Sequence, residues 1–90
     1  MPYYAVICKD KEGALPVRKE NRQSHLDYIA RTGVVFMAGP LLEEGEMAGS
    51  LVILDTPDMA AAQAWADGDP YAKAGLFENV TIREWKKVIG

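Results

Sequence analysis

The chain has 90 residues, which is room for one compact domain but not for a cleft between two domains of one chain. Its hydrophobic content of 49% and charged content of 26% are ordinary for a globular protein and exclude a disordered or collagen-like chain. Ten basic and thirteen acidic residues give a net charge of −3, the wrong sign for binding phosphates or anionic lipid headgroups. We therefore expect one domain over residues 1–90, with no nucleic-acid partner.

Cysteine and histidine occur once each, as Cys8 and His25. Because zinc sites usually take three or four protein ligands, largely of these two types, we predict no such metal site and no disulfide within the chain. The start, Met1 to Tyr4, lacks the basic region that precedes the apolar core of a secretory signal. The longest uncharged apolar run, Gly33 to Leu42, is ten residues, about half of a membrane-spanning helix. We expect a cytoplasmic protein that does not cross a membrane.

The first third of the chain predicts a strand followed by a helix. Tyr3 to Cys8 is a run of aromatic and β-branched residues, which favours a strand. Val17 to Thr32 is rich in helix formers and stops before Gly33, a residue suited to a helix C-terminus. This segment predicts a helix of about four turns.

The middle of the chain predicts a β-hairpin. Val34 to Leu42 and Leu51 to Leu54 are apolar runs of strand length, and Glu43 to Glu46 between them has the charge and glycine of an exposed turn. The glutamates of this turn could hold a cation, but adjacent side chains diverge, so we interpret them as a solvated turn.

The last third predicts a second helix and a final strand. Thr56-Pro57-Asp58 is typical of a helix start, with the threonine hydroxyl as the cap and proline at the first helical position. Ala60 to Ala66 is helical in pattern, and Gly68 should end the helix. Asp69-Pro70 can open one further short turn, and Glu78 to Val88 is typical of a strand.

The order strand, helix, strand, strand, helix, strand predicts the ferredoxin-like βαββαβ fold, of class α+β, with a four-stranded antiparallel sheet. Both helices then cover one face of the sheet, and the other face should be polar if it meets water. Instead, successive residues of Tyr3 to Cys8, Val34 to Ala38 and Leu51 to Leu54 are nearly all apolar. We predict that the second face packs against a second copy of the chain. RNA binding on this sheet is rejected, because Leu51 to Leu54 has no aromatic residue and the charge is negative.

One face of the first predicted helix carries the main candidate site. Arg18, Arg22, His25 and Ile29 fall within a stripe roughly 60° wide. The guanidiniums could clamp a carboxylate while the imidazole moves a proton. A solvated basic face with a surface histidine explains the same spacing, and spacing alone favours this simpler interpretation.

Asp69 has two interpretations of equal weight. Followed by Pro70, it is a favoured helix cap. Alternatively, its carboxylate orients His25 and stabilises the protonated imidazole, and one carboxylate could do both. Cys8, inside an apolar strand, is typical of a small buried hydrophobe, and the methionines and tryptophans are interpreted as core filling. Glycine loops of the phosphate-binding type are missing, so no nucleotide cofactor is predicted.

The chain resembles the YCII-related (YciI-like) family of small dimeric α+β-barrel proteins over nearly its whole length. The resemblance rests on short segments that occur in this order: Arg18, Asn21–Leu26, Ala38–Pro40, Gly49–Ser50, Ala62–Tyr71 and Ala74–Gly75. It implies a ferredoxin-like subunit that pairs through its sheet as a homodimer or a higher homo-oligomer. It also implies a catalytic pair formed by His25 and Asp69, with a substrate pocket formed by Arg18, Arg22, Ser50 and Tyr71.

The family is similar to muconolactone isomerases and to a dehydrochlorinase of a chlorinated hydroxyquinol. The resemblance therefore implies cofactor-free proton transfer or elimination on a small anionic substrate that is cyclic or aromatic. A non-catalytic dimer that binds a small acidic ligand, or regulates a partner, would use the same pocket. The sequence does not separate this alternative from an enzyme.

Overall fold

The computed structural model describes residues 2–90, so Met1, the first residue of the segment tested for a signal sequence, lies outside it. The strands form one antiparallel sheet in the order β2-β3-β1-β4. The predicted βαββαβ arrangement is confirmed, with the second helix followed by a short third one. The elements are β1 (Tyr3–Asp10), α1 (Leu15–Thr32), β2 (Val35–Glu43), β3 (Glu46–Asp55), α2 (Met59–Gly68), α3 (Pro70–Lys73) and β4 (Phe77–Trp85).

Helix α1 begins two residues before the predicted Val17, because Pro16 fits the first helical turn, where its missing N–H costs nothing. It ends as predicted at Gly33, whose positive φ of 67° lets its N–H donate to the carbonyl oxygen of Ile29. A residue with a side chain would be strained in this conformation.

The cap of helix α2 was predicted wrongly. Its N-cap is Asp58, whose carboxylate accepts a hydrogen bond from the Ala61 N–H at 2.9 Å. Thr56 is not the cap, because its hydroxyl donates to the Asp58 carbonyl oxygen. The helix ends at Gly68 as predicted, and the predicted short turn after Asp69 is confirmed as α3.

Three strand boundaries differ from prediction by two residues or more, and the others by at most one. The hairpin turn is only Glu44-Gly45, both with positive φ, so β3 begins at Glu46 and not at Leu51. The residues at 48–50 are small and lack the β-branched or aromatic side chains typical of a strand, so the sequence did not indicate the start of β3. Strand β1 continues past Cys8 to Asp10, and β4 stops at Trp85.

The hydrophobic core lies between the sheet and the helices. It is built from Tyr4, Val6 and Cys8 of β1, Val52 and Leu54 of β3, and Ala62, Trp65 and Ala66 of α2. The Trp65 indole N–H donates to the Thr32 hydroxyl at 2.9 Å, and the Tyr28 hydroxyl donates to the Trp65 carbonyl oxygen at 2.8 Å. These bonds join α1 to α2. The core-filling interpretation is wrong for Met37, Met59 and Trp85, which are exposed.

The end of α2 lies very close to α1. A Cβ atom at Gly68 would collide with the Tyr28 hydroxyl, so a larger residue at this point would displace the Tyr28 side chain from its bond to the Trp65 carbonyl oxygen. This close approach brings the next residue, Asp69, to the middle of α1.

The sheet face opposite the helices is largely apolar, as the strand pattern predicted. Strand pairing places Ile7 beside Leu51, and Leu51 beside Gly39, on this face. Its exposed apolar side chains, 36–53% accessible, are Ile7, Phe36, Met37, Leu41, Leu51 and Trp85. The helices are a separate matter: within residues 2–90, no helix is both long enough and apolar enough to span a lipid bilayer.

We expect the open sheet face to be buried in a homodimer. Sedimentation at micromolar concentration should give a mass of about twice 9.9 kDa. Leu51→Lys places a charge at the centre of the face and should shift the protein toward monomer. The control Ala64→Lys adds the same charge on the exposed side of α2 and should remain dimeric. A wild-type protein that is monomeric under these conditions would contradict the prediction.

Candidate active site

A cavity of about 410 Å³ lies between α1 and the helix side of β2 and β3. Five residues of the predicted site line it: Arg18, Arg22 and His25 from α1, Ser50 from β3, and Tyr71 from α3. The remaining wall is mainly apolar, formed by Leu26, Ile29, Val35, Met37, Ala38, Gly39, Pro40, Met47 and Val52. The structure therefore brings the predicted residues together in one place, with apolar surface facing them.

His25 and Asp69 are in direct contact beneath this cavity. His25 Nδ1 lies 2.8 Å from Asp69 Oδ1, and the residues are only 7% and 3% exposed. Since an ionised carboxylate can only accept, Nδ1 donates the hydrogen bond and Nε2 keeps the lone pair. Nε2 has no hydrogen-bond partner within residues 2–90. It is also not among the fully buried side-chain nitrogen and oxygen atoms of these residues that lack a partner. Since His25 lines the cavity, we place Nε2 at the cavity.

The same carboxylate oxygen also caps α3. Asp69 Oδ1 accepts the backbone N–H of Tyr71 at 3.0 Å, the side-chain bond expected of a helix N-cap. Both interpretations of Asp69 thus hold for its contacts: it caps a helix and it orients an imidazole.

The aromatic ring of Tyr71 separates His25 from Arg18. It stacks on the imidazole with ring centroids 4.0 Å apart and an interplanar angle of 17°. The guanidinium carbon of Arg18 lies 4.7 Å from the centroid of the tyrosine ring. This stack, together with the Asp69 hydrogen bond, fixes both the plane and the rotation of the imidazole.

Arg18 forms a buried ion pair with Asp10, a residue that the sequence analysis did not identify. Its Nε and Nη2 donate to the two Asp10 carboxylate oxygens at 2.7 and 2.8 Å. Burial disfavours the guanidinium charge, but the hydrogen bonds and the charge of Asp10 outweigh it and raise the pKa of Arg18. Strand alternation could have found this partner, because Asp10 follows Cys8 by two positions and so faces the helices.

Ser50 is held by the same guanidinium. Arg18 Nη2 donates to Ser50 Oγ at 2.8 Å, and both side chains are buried. Since Oγ accepts this bond, the hydroxyl hydrogen of Ser50 is free to point to a ligand in the cavity. Arg18 therefore does not lie on a solvated helix face, and its guanidinium is not free to clamp an anion. Instead, it orients the hydroxyl of Ser50, which can donate a hydrogen bond.

Arg22 and Tyr71 supply the remaining polar groups of the cavity. Arg22 is exposed and has no ion pair within residues 2–90. Burial raises the pKa of Tyr71 above its ordinary value of 10, the charge of Asp69 adds to this, and Arg18 and Arg22 partly oppose it. The phenol therefore keeps its proton at neutral pH and can donate it in a hydrogen bond.

Other candidate groups of the sequence lie outside the cavity. Cys8 is 2% exposed, as predicted for a small buried hydrophobe. Ser24 is exposed, on the helix beside His25. Within residues 2–90, no three histidine, cysteine or carboxylate side chains converge to hold a metal ion.

A second hollow, of about 550 Å³, lies at the hairpin end of the sheet. It is larger than the cavity beside His25, but its polar lining consists of exposed Lys and Glu side chains and the carboxylate of Asp10, already bound to Arg18. The predicted solvated turn, with Glu43, Glu44 and Glu46, borders it. The groups suited to chemistry are in the smaller cavity.

The fold is that of the dimeric α+β-barrel proteins. A crystal structure of an antibiotic biosynthesis monooxygenase aligns with a TM-score of 0.63 over 99% of this chain and 100% of its own, at 10% identity. That level of identity shows the fold alone. The model of the YCII-related domain matches residues 2–86, and this chain belongs to the YCII-related family.

Two relatives match nearly the whole chain. Protein YciI of Escherichia coli strain CFT073 is 37% identical, over 94% of this chain and 97% of its own length. The solved 5-chloro-2-hydroxyhydroquinone dehydrochlorinase TftG from Burkholderia phenoliruptrix AC1100, in complex with 2,5-dihydroxybenzoquinone, is 30% identical. It aligns with a TM-score of 0.87 over 93% of each chain. One of these relatives is thus an enzyme of a small ring compound.

We expect the ion pair of Arg18 and Asp10 to contribute strongly to stability. Asp10→Ala leaves a buried guanidinium without its counterion and should lower the free energy of unfolding by about 3 kcal/mol or more. The control Glu78→Ala removes the partner of Lys9 in an exposed pair with a 3.4 Å contact, and should cost a fraction of that. Urea unfolding measures both, and equal losses would contradict the buried pair.

We expect the Cys8 thiol to be unreactive in the folded protein. Burial raises its pKa to about 12, with the charge of Asp69 adding to this and Arg18 opposing it. At pH ~8 the folded thiol should react with iodoacetamide more than about 1000-fold more slowly than the same thiol in urea, because the thiolate is the nucleophile. The single cysteine makes the readout unambiguous. Comparable rates would contradict both its burial and its raised pKa.

Proposed function

We propose that this chain is a cofactor-independent lyase or isomerase in which His25 moves a proton on a small anionic substrate. The observation that carries the proposal is the buried hydrogen bond from His25 Nδ1 to Asp69, which leaves Nε2 as a base at a cavity that combines an apolar wall with a few polar groups. A base held in one tautomer and one orientation is what general acid–base catalysis requires. We further propose that the protein works in the cytoplasm as a homodimer paired through its open sheet face.

Each polar group around the cavity has a role in this proposal. Asp69 holds the tautomer of His25 and stabilises the imidazolium that forms when Nε2 takes the proton. Arg22 binds the negative charge of the substrate. The hydroxyls of Ser50 and Tyr71 donate hydrogen bonds to oxygen atoms on which negative charge grows during the reaction.

The chemistry is balanced without an oxidant or a reductant. In an elimination, the substrate reacts as a ring tautomer that carries hydrogen and chlorine on one tetrahedral carbon. Nε2 takes a hydroxyl proton, the electron pair left on that oxygen forms a carbonyl group, the ring double bond shifts toward the tetrahedral carbon, and chloride leaves with its bonding pair. In an isomerisation, the proton taken from one atom is returned by the imidazolium to another. His25 ends each cycle after passing its proton to water or to the product.

The likeness to the dehydrochlorinase supports the elimination form of this proposal. That protein is 30% identical over 93% of the chain and binds 2,5-dihydroxybenzoquinone, a ring that bears acidic hydroxyls. The apolar wall beside His25 suits the flat body of such a ring.

We expect chloride to be released when the protein is mixed with 5-chloro-2-hydroxyhydroquinone. His25→Gln removes the base and should abolish release above the uncatalysed rate, whereas Ser24→Ala, next to it on the exposed side of α1, should have no effect. A chloride electrode follows the reaction. Equal release by wild type and His25→Gln would refute the role of His25. No release by wild type would favour the alternative of a non-catalytic ligand-binding dimer.

Asp69→Asn separates the two roles of this residue. Asparagine caps a helix about as well as aspartate, so the free energy of unfolding should change little. Loss of the charge behind the imidazole should nevertheless lower turnover by about 10²- to 10⁴-fold. If stability falls while turnover is kept, Asp69 is only a cap.

A further inference from the structure

The charges around the cavity are nearly balanced before any ligand binds. Two arginines, Arg18 and Arg22, line it, and two carboxylates, Asp10 and Asp69, contact the side chains that line it. With His25 neutral these four charges sum to zero. The arrangement is therefore not the double cation clamp that the spacing of the two arginines on α1 suggests.

Arg18 has hydrogen-bond donors left for a ligand but no uncompensated charge. Nε donates to Asp10, and Nη2 donates to Asp10 and Ser50, which leaves only the two hydrogens on Nη1. An anion placed near Nη1 would also meet the field of the Asp10 carboxylate, 2.8 Å from Nη2. Arg22 alone, exposed and without a carboxylate partner, can balance a charge on the ligand.

We infer that the cavity selects an anion with one negative charge and an apolar body, and that Asp10 sets this limit by cancelling the charge of Arg18. The inference rests on the proposed function only for the location of the ligand. The charged group lies at Arg22, near solvent, and the body lies against the apolar wall that includes Ile29, Val35 and Val52. A second negative charge deeper in the cavity would be desolvated without a counterion and would lie near Asp69.

Three benzene derivatives test this limit: methyl hydrogen phthalate with one charge, phthalate with two, and dimethyl phthalate with none. The monoester is larger than phthalate, so steric exclusion cannot explain a preference for it, and the dimethyl ester, which has one more methyl group, controls for the added apolar surface. Binding is followed at about pH 8.5, above the range in which histidine ordinarily gains its proton. The reporter is the NMR signal of the single imidazole, which lines the cavity.

We expect the monoester to bind at least about tenfold more tightly than phthalate or the neutral diester, because each alternative leaves one charge unpaired. Arg22→Gln should remove the advantage of the monoester over the neutral diester. The control Lys19→Gln makes the same change of charge at an exposed position of α1 outside the cavity, and should keep that advantage. Phthalate binding as tightly as the monoester, or no binding by any of the three, would overturn the inference.

A second variant reverses the preference. Asp10→Asn frees the charge of Arg18 at the cavity and should shift the ratio of phthalate to monoester affinity toward phthalate by about tenfold. If this buried substitution prevents folding, the wild-type and Arg22→Gln measurements still decide whether the cavity selects a ligand with one negative charge. If the folded variant keeps the wild-type ratio, Asp10 is not the residue that sets the limit.

These measurements are independent of turnover. A monoester preference that depends on Arg22, together with no chloride release, would leave the inference standing and refute the elimination form of the proposed function. Chloride release that depends on His25, together with tight phthalate binding, would support the proposed function and refute the inference of a single-charge limit.

Discussion

One carboxylate oxygen connects the fold of this protein to its candidate chemistry. Asp69 Oδ1 accepts the Nδ1–H of His25 from α1 and the backbone N–H of Tyr71 at the start of α3. The turn between α2 and α3 and the orientation of the imidazole are therefore fixed by the same atom. That atom reaches His25 because Gly68, just before it, lets α2 end directly against Tyr28 of α1. A displacement of α1 relative to this turn would break the hydrogen bond to His25 and leave the cap of α3 in place.

A second buried carboxylate, Asp10, acts on the opposite side of the site. Without it, Arg18 would be a buried and uncompensated cation pressed against the ring of Tyr71, which carries the imidazole on its other face. With it, the guanidinium of this stack is paired with a carboxylate on one side, as the imidazole is with Asp69 on the other. Positioning and charge balance are thus supplied by groups below the cavity surface, and the surface itself presents few polar atoms.

The sequence predicted the fold well because strand patterns and helix ends are local. It failed at boundaries where local chemistry has two solutions: Thr56 and Asp58 can both cap a helix, and the small residues at 48–50 have no strand signature. The site was predicted partly from helical periodicity, which placed His25 and the arginines on one face. The ion pair of Arg18 and Asp10 was missed because Asp10 lies on a strand and Arg18 on a helix. Finding it requires strand alternation and helix packing to be considered together.

The two walls of the cavity differ in how firmly they are held. His25 and Tyr71 are locked by stacking and by Asp69, whereas Ala38 and Pro40 belong to β2, an edge strand hydrogen-bonded only to β3 within residues 2–90. Strands of this kind open at lower free energy than the centre of a sheet. Substitutions along β2 can therefore reshape the ligand space while the proton-transfer groups stay in register. This difference lets the fold accept new substrates through substitutions in one edge strand, while the residues that transfer the proton stay unchanged.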